Sequence, residues 1–248
     1  MYPPVIAAAK AMFRVLDLRI TVHGDQHVPR SGGAVLASNH VSYLDFIFCG
    51  LGTQAADRLV RFMAKQEVFA NKVAGPLMRG MRHIPVDRAA GAASYGAAVE
   101  ALRSGEVVGV FPEATISRSF TVKDLKSGAA RMAAAAGVPI VPMAVWGTQR
   151  LWTKGRPRTL TRRHTPISIV IGEPLAVLPG DDQAAVMDRL RAALSTLLDR
   201  AQRGYPEQPD GLQDAWWQPA HLGGTAPTPE EAAAMDASDR SRRGSAMD

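Results

Sequence analysis

A single cysteine, Cys49, serves 248 residues, so an internal disulfide framework and a cysteine-based zinc site are both excluded. That usage fits a reducing compartment. Lying in an apolar run, Cys49 reads as a buried core thiol and not as a nucleophile. Long hydrophobic stretches are missing too. Nothing approaches the roughly 18 to 20 uninterrupted apolar residues that span a bilayer, and no basic start, apolar run and small-residue cleavage site marks a signal peptide. The expectation is a cytosolic protein or one bound at a membrane surface. Several catalytic signatures are also absent: Gly-x-x-x-x-Gly-Lys-Ser/Thr, Gly-x-Gly-x-x-Gly, His-Glu-x-x-His and Gly-x-Ser-x-Gly. His23 and His27 flank a turn with no carboxylate at ligand spacing, so no metal ligand is expected.

Acidic residues are scarce over most of the chain. Residues 1–203 carry 26 Lys and Arg against 15 Asp and Glu, whereas residues 204–248 carry 3 against 8. A strongly basic body points to polyanionic partners: anionic lipid headgroups, phosphorylated substrates or nucleic acid. A nucleic-acid binder interleaves exposed aromatics with basic residues on strands. Here aromatics make up 6% of the chain, and the basic residues cluster at strand ends and in the loop 147–166 around Trp152, so nucleic acid is not the expected partner.

What is present is a regular alternation. Strand patterns fall at 18–22, 34–38, 58–64, 83–87, 107–111, 140–146 and 167–171. Helical patterns fall at 44–51, at 67–79 with an interruption expected at Gly75-Pro76, and at 91–104, 127–136 and 181–203. Short apolar strands alternating with helices require an α/β fold, with a mostly parallel central sheet flanked by helices on both faces. Residues 4–17 place Val5, Ile6, Ala9, Met12, Phe13 and Leu16 on one stripe, a short N-terminal amphipathic helix that packs on its own domain or lies in a membrane interface. After Gly204 the composition shifts to Pro, Gly, Ala and acidic residues. The expected organisation is a domain at 1–203 and an acidic tail at 204–248, irregular to about 222 and disordered beyond, with Trp216-Trp217 able to pin its first part.

Two stretches carry chemistry. The first runs from an apolar strand into Asn39, His40, Ser42 and Asp45, then back to an apolar helix. Five residues along a regular helix turn side chains roughly 140° apart. His40 and Asp45 therefore meet only if His40 sits in the turn leaving the strand and Asp45 in the first turn of the helix, where a carboxylate suits the helix dipole. A histidine held by a carboxylate takes a proton from a hydroxyl and makes it a nucleophile. Alternatively, the same residues simply cap a turn and a helix. The second stretch is Phe111-Pro-Glu-Ala-Thr-Ile-Ser-Arg118, in which Glu113, Thr115, Ser117 and Arg118 emerge beyond a buried strand. In open α/β sheets ligands bind past the carboxyl ends of strands, so this loop belongs on the rim that holds His40.

The sequence Asn39-His-Val-Ser-Tyr-Leu-Asp45, Phe111-Pro-Glu-Ala-Thr-Ile-Ser117, Gly80-Met-Arg-His-Ile-Pro-Val-Asp-Arg88 and Val138-Pro-Ile-Val-Pro-Met143 together resemble the four signature blocks of the glycerolipid acyltransferase family, whose best-known members acylate lysophosphatidate. Ala114 stands where the family has glycine and Ile116 where it has a phosphate-holding arginine. The resemblance implies a glycerol-3-phosphate acyltransferase-like fold with His40 and Asp45 catalytic. It implies that Arg88, with Arg82 as the reserve, binds the acceptor phosphate, aided by Glu113 and by Arg118 in place of the missing arginine. Thr115, Asn39, Ser42, Lys65 and Lys126 are further substrate-binding candidates, and the 138–143 block shapes the wall of the acyl channel.

The donor implied is acyl-CoA or acyl carrier protein, the acceptor a lysophospholipid, with no cofactor and no metal. The N-terminal helix and the basic loop around Trp152 would dock the rim on an anionic membrane surface, peripherally and on its cytoplasmic face. That loop can equally be a solvated surface or contact coenzyme A phosphates. Alternative activities are acylation of glycerol-3-phosphate or another lysophospholipid, thioester hydrolysis by the same dyad, or a non-catalytic anionic-lipid-binding module.

Overall fold

The computed structural model of the protein describes residues 2–87 and 91–244. Its elements in chain order are α1 (Tyr2–Val15), β1 (Arg19–His23), β2 (Ala34–Ser38), α2 (Asp45–Gly52), β3 (Val60–Lys65), α3 (Gln66–Ala70), α4 (Ala74–Gly80), β4 (Ile84–Val86), α5 (Gly91–Arg103), β5 (Val107–Val110), α6 (Gly128–Ala136), β6 (Ile140–Trp146), β7 (Pro166–Ile171), α7 (Gln183–Arg203) and α8 (Pro229–Gly244). The strands form one sheet in the order β1-β7-β6-β2-β5-β3-β4. All neighbours are parallel except β6 and β7. The carboxyl ends of β2, β3, β4, β5 and β6 therefore share one rim, on which β2 lies between β6 and β5.

Period-two alternation decides which residues meet which helix layer. Val35 and Ala37 of β2, with Val108 and Val110 of β5, pack against Ala98 and Leu102 of α5, Ala133 of α6 and Leu190 and Leu194 of α7. Leu36 of β2 faces the other way, with Phe62 of β3 and Met143 of β6, against Phe13 of α1 and Phe48 and Cys49 of α2. Burial on both faces explains why these strands read as continuous apolar runs, and the α/β architecture with helices on both faces is the one the pattern required. Cys49 is fully buried, and burial pushes its thiol far up. Among the described residues, no helix is long and apolar enough to cross a membrane.

Three local expectations are revised. The helical stretch 67–79 does break, but not at Gly75-Pro76. The Asn71 side chain accepts the N–H groups of Val73 and Ala74, both at 2.9 Å, and restarts the helix there. Pro76 lies in the first turn of α4, where its missing N–H has no intrahelical acceptor to lose. Arg150, counted above with the basic surface loop, is 3% exposed. It lies over the Trp217 ring at 4.4 Å, pairs with Glu207 and donates to the Tyr205 hydroxyl, so Trp217 does pin the start of the tail. The remainder of the tail is not disordered: residues Pro229–Gly244 form α8. Its start is closed by a capping box in which Thr228 N–H donates to Glu231 Oε2 at 2.8 Å and Glu231 N–H to Thr228 Oγ1 at 3.3 Å.

One glycine ties the sheet to the site. A Cβ at Gly109 of β5 would lie 2.5 Å from Phe62 Cε1 and 2.7 Å from Val60 Cγ1. Gly109→Ala is therefore expected to displace the Phe62 ring and destabilise the protein by about 1–3 kcal/mol, the usual range for overpacking, as read from urea unfolding.

Candidate active site

The site is built at the corner between β2 and α2. Asp45 opens α2 and is completely buried. Its Oδ2 accepts the N–H groups of Val41 and Ser42, both at 2.8 Å, and lies 3.0 Å from His40 Nδ1. Its Oδ1 accepts the Thr148 hydroxyl at 2.6 Å. A carboxylate that already takes three donors has only acceptor capacity to offer the imidazole, so Nδ1 carries the proton and Nε2 keeps its lone pair. The His40 side chain is 19% exposed, which leaves part of the ring open to a ligand.

The second block clamps the same histidine. His40 N–H donates to Glu113 Oε1 at 2.9 Å, and Ser117 N–H donates to the His40 carbonyl at 2.7 Å. Phe111 stacks on the imidazole with centroids 4.2 Å apart and planes 19° from parallel. Strand order makes this possible, because β2 and β5 are adjacent and parallel, so their exit loops leave side by side. The rim expected to hold both stretches does hold them.

Several expected substrate contacts are corrected. Asn39 is fully buried and holds β6: its Nδ2 donates to the Val145 carbonyl at 3.1 Å and its Oδ1 accepts Val145 N–H at 2.8 Å. Ser42 is fully buried as well, donating to the Trp152 carbonyl at 2.6 Å and accepting from Leu44 N–H. Glu113 is 4% exposed, with its second oxygen accepting Lys123 N–H at 3.2 Å. These three therefore shape the corner and do not face a ligand. Arg82 precedes β4, at the opposite end of the strands, where it pairs with Glu106 at 3.1 Å. Arg88 lies outside the described residues.

The other candidates are on the surface of the rim or near it. Lys65 closes β3 and is exposed. Lys126 is exposed, and its N–H donates to the Pro112 carbonyl at 2.9 Å. Thr115 is exposed and accepts from Lys123 Nζ at 2.8 Å. Ile116, at the position of the family's arginine, is buried. Arg118 is engaged by α8, with Nη2 2.8 Å from Asp239 Oδ2. Val138, Ile140, Val141 and Met143 are buried in the two sheet-face cores, so the fourth block builds sheet and not a channel wall.

The sequence does not single out Thr148, Phe111, Lys123 or the apolar cavity that Phe62 lines. Thr148 is 103 residues from the carboxylate it holds, and no local pattern marks it. Phe111 stood in the signature block and could have been found as the apolar neighbour of a charged corner. Beyond Phe111, Phe62 stacks at 6.0 Å, 12° from parallel, and Phe62 lines a cavity of about 260 Å³ between α1, α2 and α4. Val5, Ile6, Phe13, Phe46, Leu77 and Met78 are among its walls. A row of three stacked rings thus joins the imidazole to an apolar chamber. His83 at its edge accepts Phe62 N–H on Nδ1 at 3.0 Å, and burial, then the charge of Arg61, lowers its pKa to about 4.

Two features of the 111–118 loop carry measurable consequences. Burial pushes the Glu113 carboxyl up to about 8, against the pull of the His40 and Lys123 N–H donors. A raised acid binds its proton more tightly in the folded state. Its contribution to stability is therefore complete below about 4.5 and is lost as pH rises through about 8. The stability difference between wild type and Glu113→Gln, measured by urea unfolding from pH 4.5 to 8, should fall steadily across that window. Ala114 adopts φ 60°, the left-handed region in which the family's glycine is at ease. Ala114→Gly is expected to stabilise the fold by about 0.5–1 kcal/mol, strain relief exceeding the added chain entropy, in the same unfolding assay.

With this geometry in place, likeness to known proteins can be weighed. Residues 19–146, which contain all four blocks, match the family described as Acyltransferase. The chain is 32% identical over 190 residues to the 1-acyl-sn-glycerol-3-phosphate acyltransferase of Bacillus subtilis (strain 168), covering 72% of this chain and 88% of that protein. It is 30% identical over 208 residues to 1-acyl-sn-glycerol-3-phosphate acyltransferase alpha of Bos taurus, covering 80% of this chain and 71% of that one. The crystal structure of the 1-acyl-sn-glycerophosphate (LPA) acyltransferase PlsC from Thermotoga maritima shares the fold, with a TM-score of 0.66 at 22% identity over 80% of this chain and 78% of that one. The sequence blocks, the sheet that aligns them and these relatives agree: the chain is an enzyme of the acyltransferase family.

Proposed function

We propose that this enzyme transfers an acyl group from acyl-CoA, or from acyl carrier protein, to the free hydroxyl of 1-acyl-sn-glycerol-3-phosphate, forming phosphatidate. The observation that carries the reading is the partly exposed His40 ring, held by Asp45 at 3.0 Å on one nitrogen and stacked on Phe111, which in turn stacks on Phe62 in the wall of an apolar chamber. A base for a hydroxyl and a slot for an acyl chain are thereby neighbours. The relatives named for this reaction support the choice of acceptor.

In the step so described, His40 Nε2 takes the hydroxyl proton as the oxygen attacks the thioester carbonyl. Asp45 stabilises the imidazolium that forms. The tetrahedral intermediate collapses with cleavage of the C–S bond, and the imidazolium returns the proton to the leaving thiolate. No covalent enzyme intermediate, cofactor or metal enters the scheme. The chain's own contribution is mainly placement, since holding two substrates in reacting geometry supplies much of the rate in a two-substrate transfer. Arg88 together with Arg118 is assigned to the acceptor phosphate, as the resemblance implies.

Docking on an anionic membrane surface belongs to the same reading. Tyr43, 44% exposed, lies against Trp152 with ring centroids 4.7 Å apart and planes tilted by 39°, and Arg158 lies over Trp152 at 5.2 Å, on the loop that holds Ser42. Aromatic and cationic groups side by side suit the headgroup region of a bilayer. Together with α1, which walls the apolar chamber, they supply a peripheral attachment through which a lipid acceptor reaches His40. An acyl-CoA donor places that attachment on the cytoplasmic face.

The test is thiol release from a long-chain acyl-CoA, measured with and without lysophosphatidate. Release should require the acceptor, and His40→Ala should lower it by roughly 10²–10⁴-fold while circular dichroism shows the fold intact. Release that ignores the acceptor would make the protein a thioesterase. Release supported by another lysophospholipid or by glycerol-3-phosphate, but not by lysophosphatidate, would move the acceptor assignment.

A further inference from the structure

Three cations around the 111–118 loop are neutralised from within the chain. Arg118, Lys123 and Lys154 converge on two carboxylates of α8. Asp236 Oδ1 lies 2.7 Å from Lys154 Nζ and 3.6 Å from Arg118 Nε, and Asp236 Oδ2 pairs with Lys123 Nζ. Asp239 Oδ2 lies 2.8 Å from both Arg118 Nη2 and Lys154 Nζ. The cluster is joined to the catalytic corner by one residue. Lys123 gives its N–H to Glu113, whose other oxygen holds His40 N–H, and gives its Nζ to Thr115.

Two features show that α8 is a poor permanent occupant. First, its inward stripe is Ala232, Asp236 and Asp239. Ala232 and Asp236 are buried and Asp239 half-buried, while Met235 is 45% exposed. Charge, not apolar burial, holds the helix. The Asp239 pairs are the solvent-open part of the cluster, with that carboxylate 29% exposed, and pairs of that kind are individually weak and yield to competing anions. Second, Arg118 Nε is buried without a hydrogen-bond partner, since Asp236 at 3.6 Å is beyond reach. A planar carboxylate leaves that donor unsatisfied. A tetrahedral phosphate has the extra oxygen and the second negative charge that three cations call for. The cations in turn hold Asp239 down to about 2, by hydrogen bonds from Lys154 and Arg118.

We propose that Arg118, Lys123 and Lys154 form a cradle for the phosphate monoester of the acceptor lipid, and that α8 is a displaceable strap whose Asp236 and Asp239 fill the cradle until that phosphate exchanges with them. The proposal rests on the acceptor reading given above and deepens it. Lysophosphatidate supplies a phosphate monoester, and the 3′-phosphate of coenzyme A is the same chemistry on the donor, so the test separates the two. The strap keeps the cationic rim charge-paired until an anionic headgroup arrives. The body's excess of positive charge and the tail's excess of negative charge thereby have complementary places in the fold.

The experiment uses the full chain. In wild-type protein, hydrogen exchange of the backbone amides at 231–242 is followed with millimolar glycerol-3-phosphate and with glycerol as control. Glycerol-3-phosphate should accelerate that exchange and glycerol should not. This readout needs no turnover, so it judges the cradle even if the acyl-transfer reading fails. In parallel, Asp236→Asn with Asp239→Asn should lower KM for lysophosphatidate by about fivefold and leave KM for acyl-CoA in place, and Lys154→Ala should raise KM for lysophosphatidate. Unchanged exchange with glycerol-3-phosphate overturns the proposal. So does a double variant whose KM for lysophosphatidate stays or rises, which would make α8 a structural brace, or one whose KM shift falls on acyl-CoA, which would assign the cradle to the donor.

Discussion

Everything at the His40 corner depends on one buried carboxylate. Asp45 gathers two backbone N–H groups, a threonine hydroxyl and the His40 ring onto two oxygens. A buried anion without donors is strongly unfavourable, so the chain must wrap around Asp45 to satisfy it. That wrapping is the turn at 40–44. The residue that orients the His40 ring thus also specifies the backbone that carries it, and Thr148 ties the arrangement to the exit of β6. Replacing Asp45 would disturb both at once, which is why its contribution to chemistry and to local folding are not separable by a single substitution.

The polar corner is set against an apolar wall. Phe111 stacks on the imidazole, Phe62 on Phe111, and the cavity between α1, α2 and α4 opens beyond. The absence of a side chain at Gly109 is what lets Phe62 lie flat over β5. A lipid acyl transfer needs a water-like environment at the hydroxyl and an oil-like one at the chain. The parallel sheet supplies the polar corner at its rim, where adjacent strands deliver their exit loops side by side, and the apolar chamber on the adjoining face that α1, α2 and α4 cover.

Much of this was legible beforehand, for definite reasons. Strands buried on both faces announce themselves as apolar runs, and the strand-turn-helix geometry followed from the inability of residues five apart to share a helical face. The roles of the polar residues around His40 were less legible. Asn39 and Ser42 stand in one signature block and Glu113 in another, yet all three are buried and hold backbone groups. Side-chain identity does not reveal whether a polar group faces a ligand or a neighbouring peptide. The tail was misjudged because composition measures the apolar surface a segment can bury, and α8 is held by paired charges instead, with partners lying far away in sequence.

By itself, then, the chain's order of residues determined the α/β class and the strand-to-helix corner, which are set by local spacing, and it carried the four blocks that resemble those of acyltransferases, which imply the pairing of His40 with Asp45 that the structure shows. Only the tertiary structure decided that Thr148 and Glu113 brace the histidine, that the apolar chamber lies behind Phe111, and that Asp236 and Asp239 meet Arg118, Lys123 and Lys154. Those contacts join segments up to about 120 residues apart. The physical reason is that a parallel sheet brings strand ends together by crossover, and a crossover leaves no mark in the local sequence.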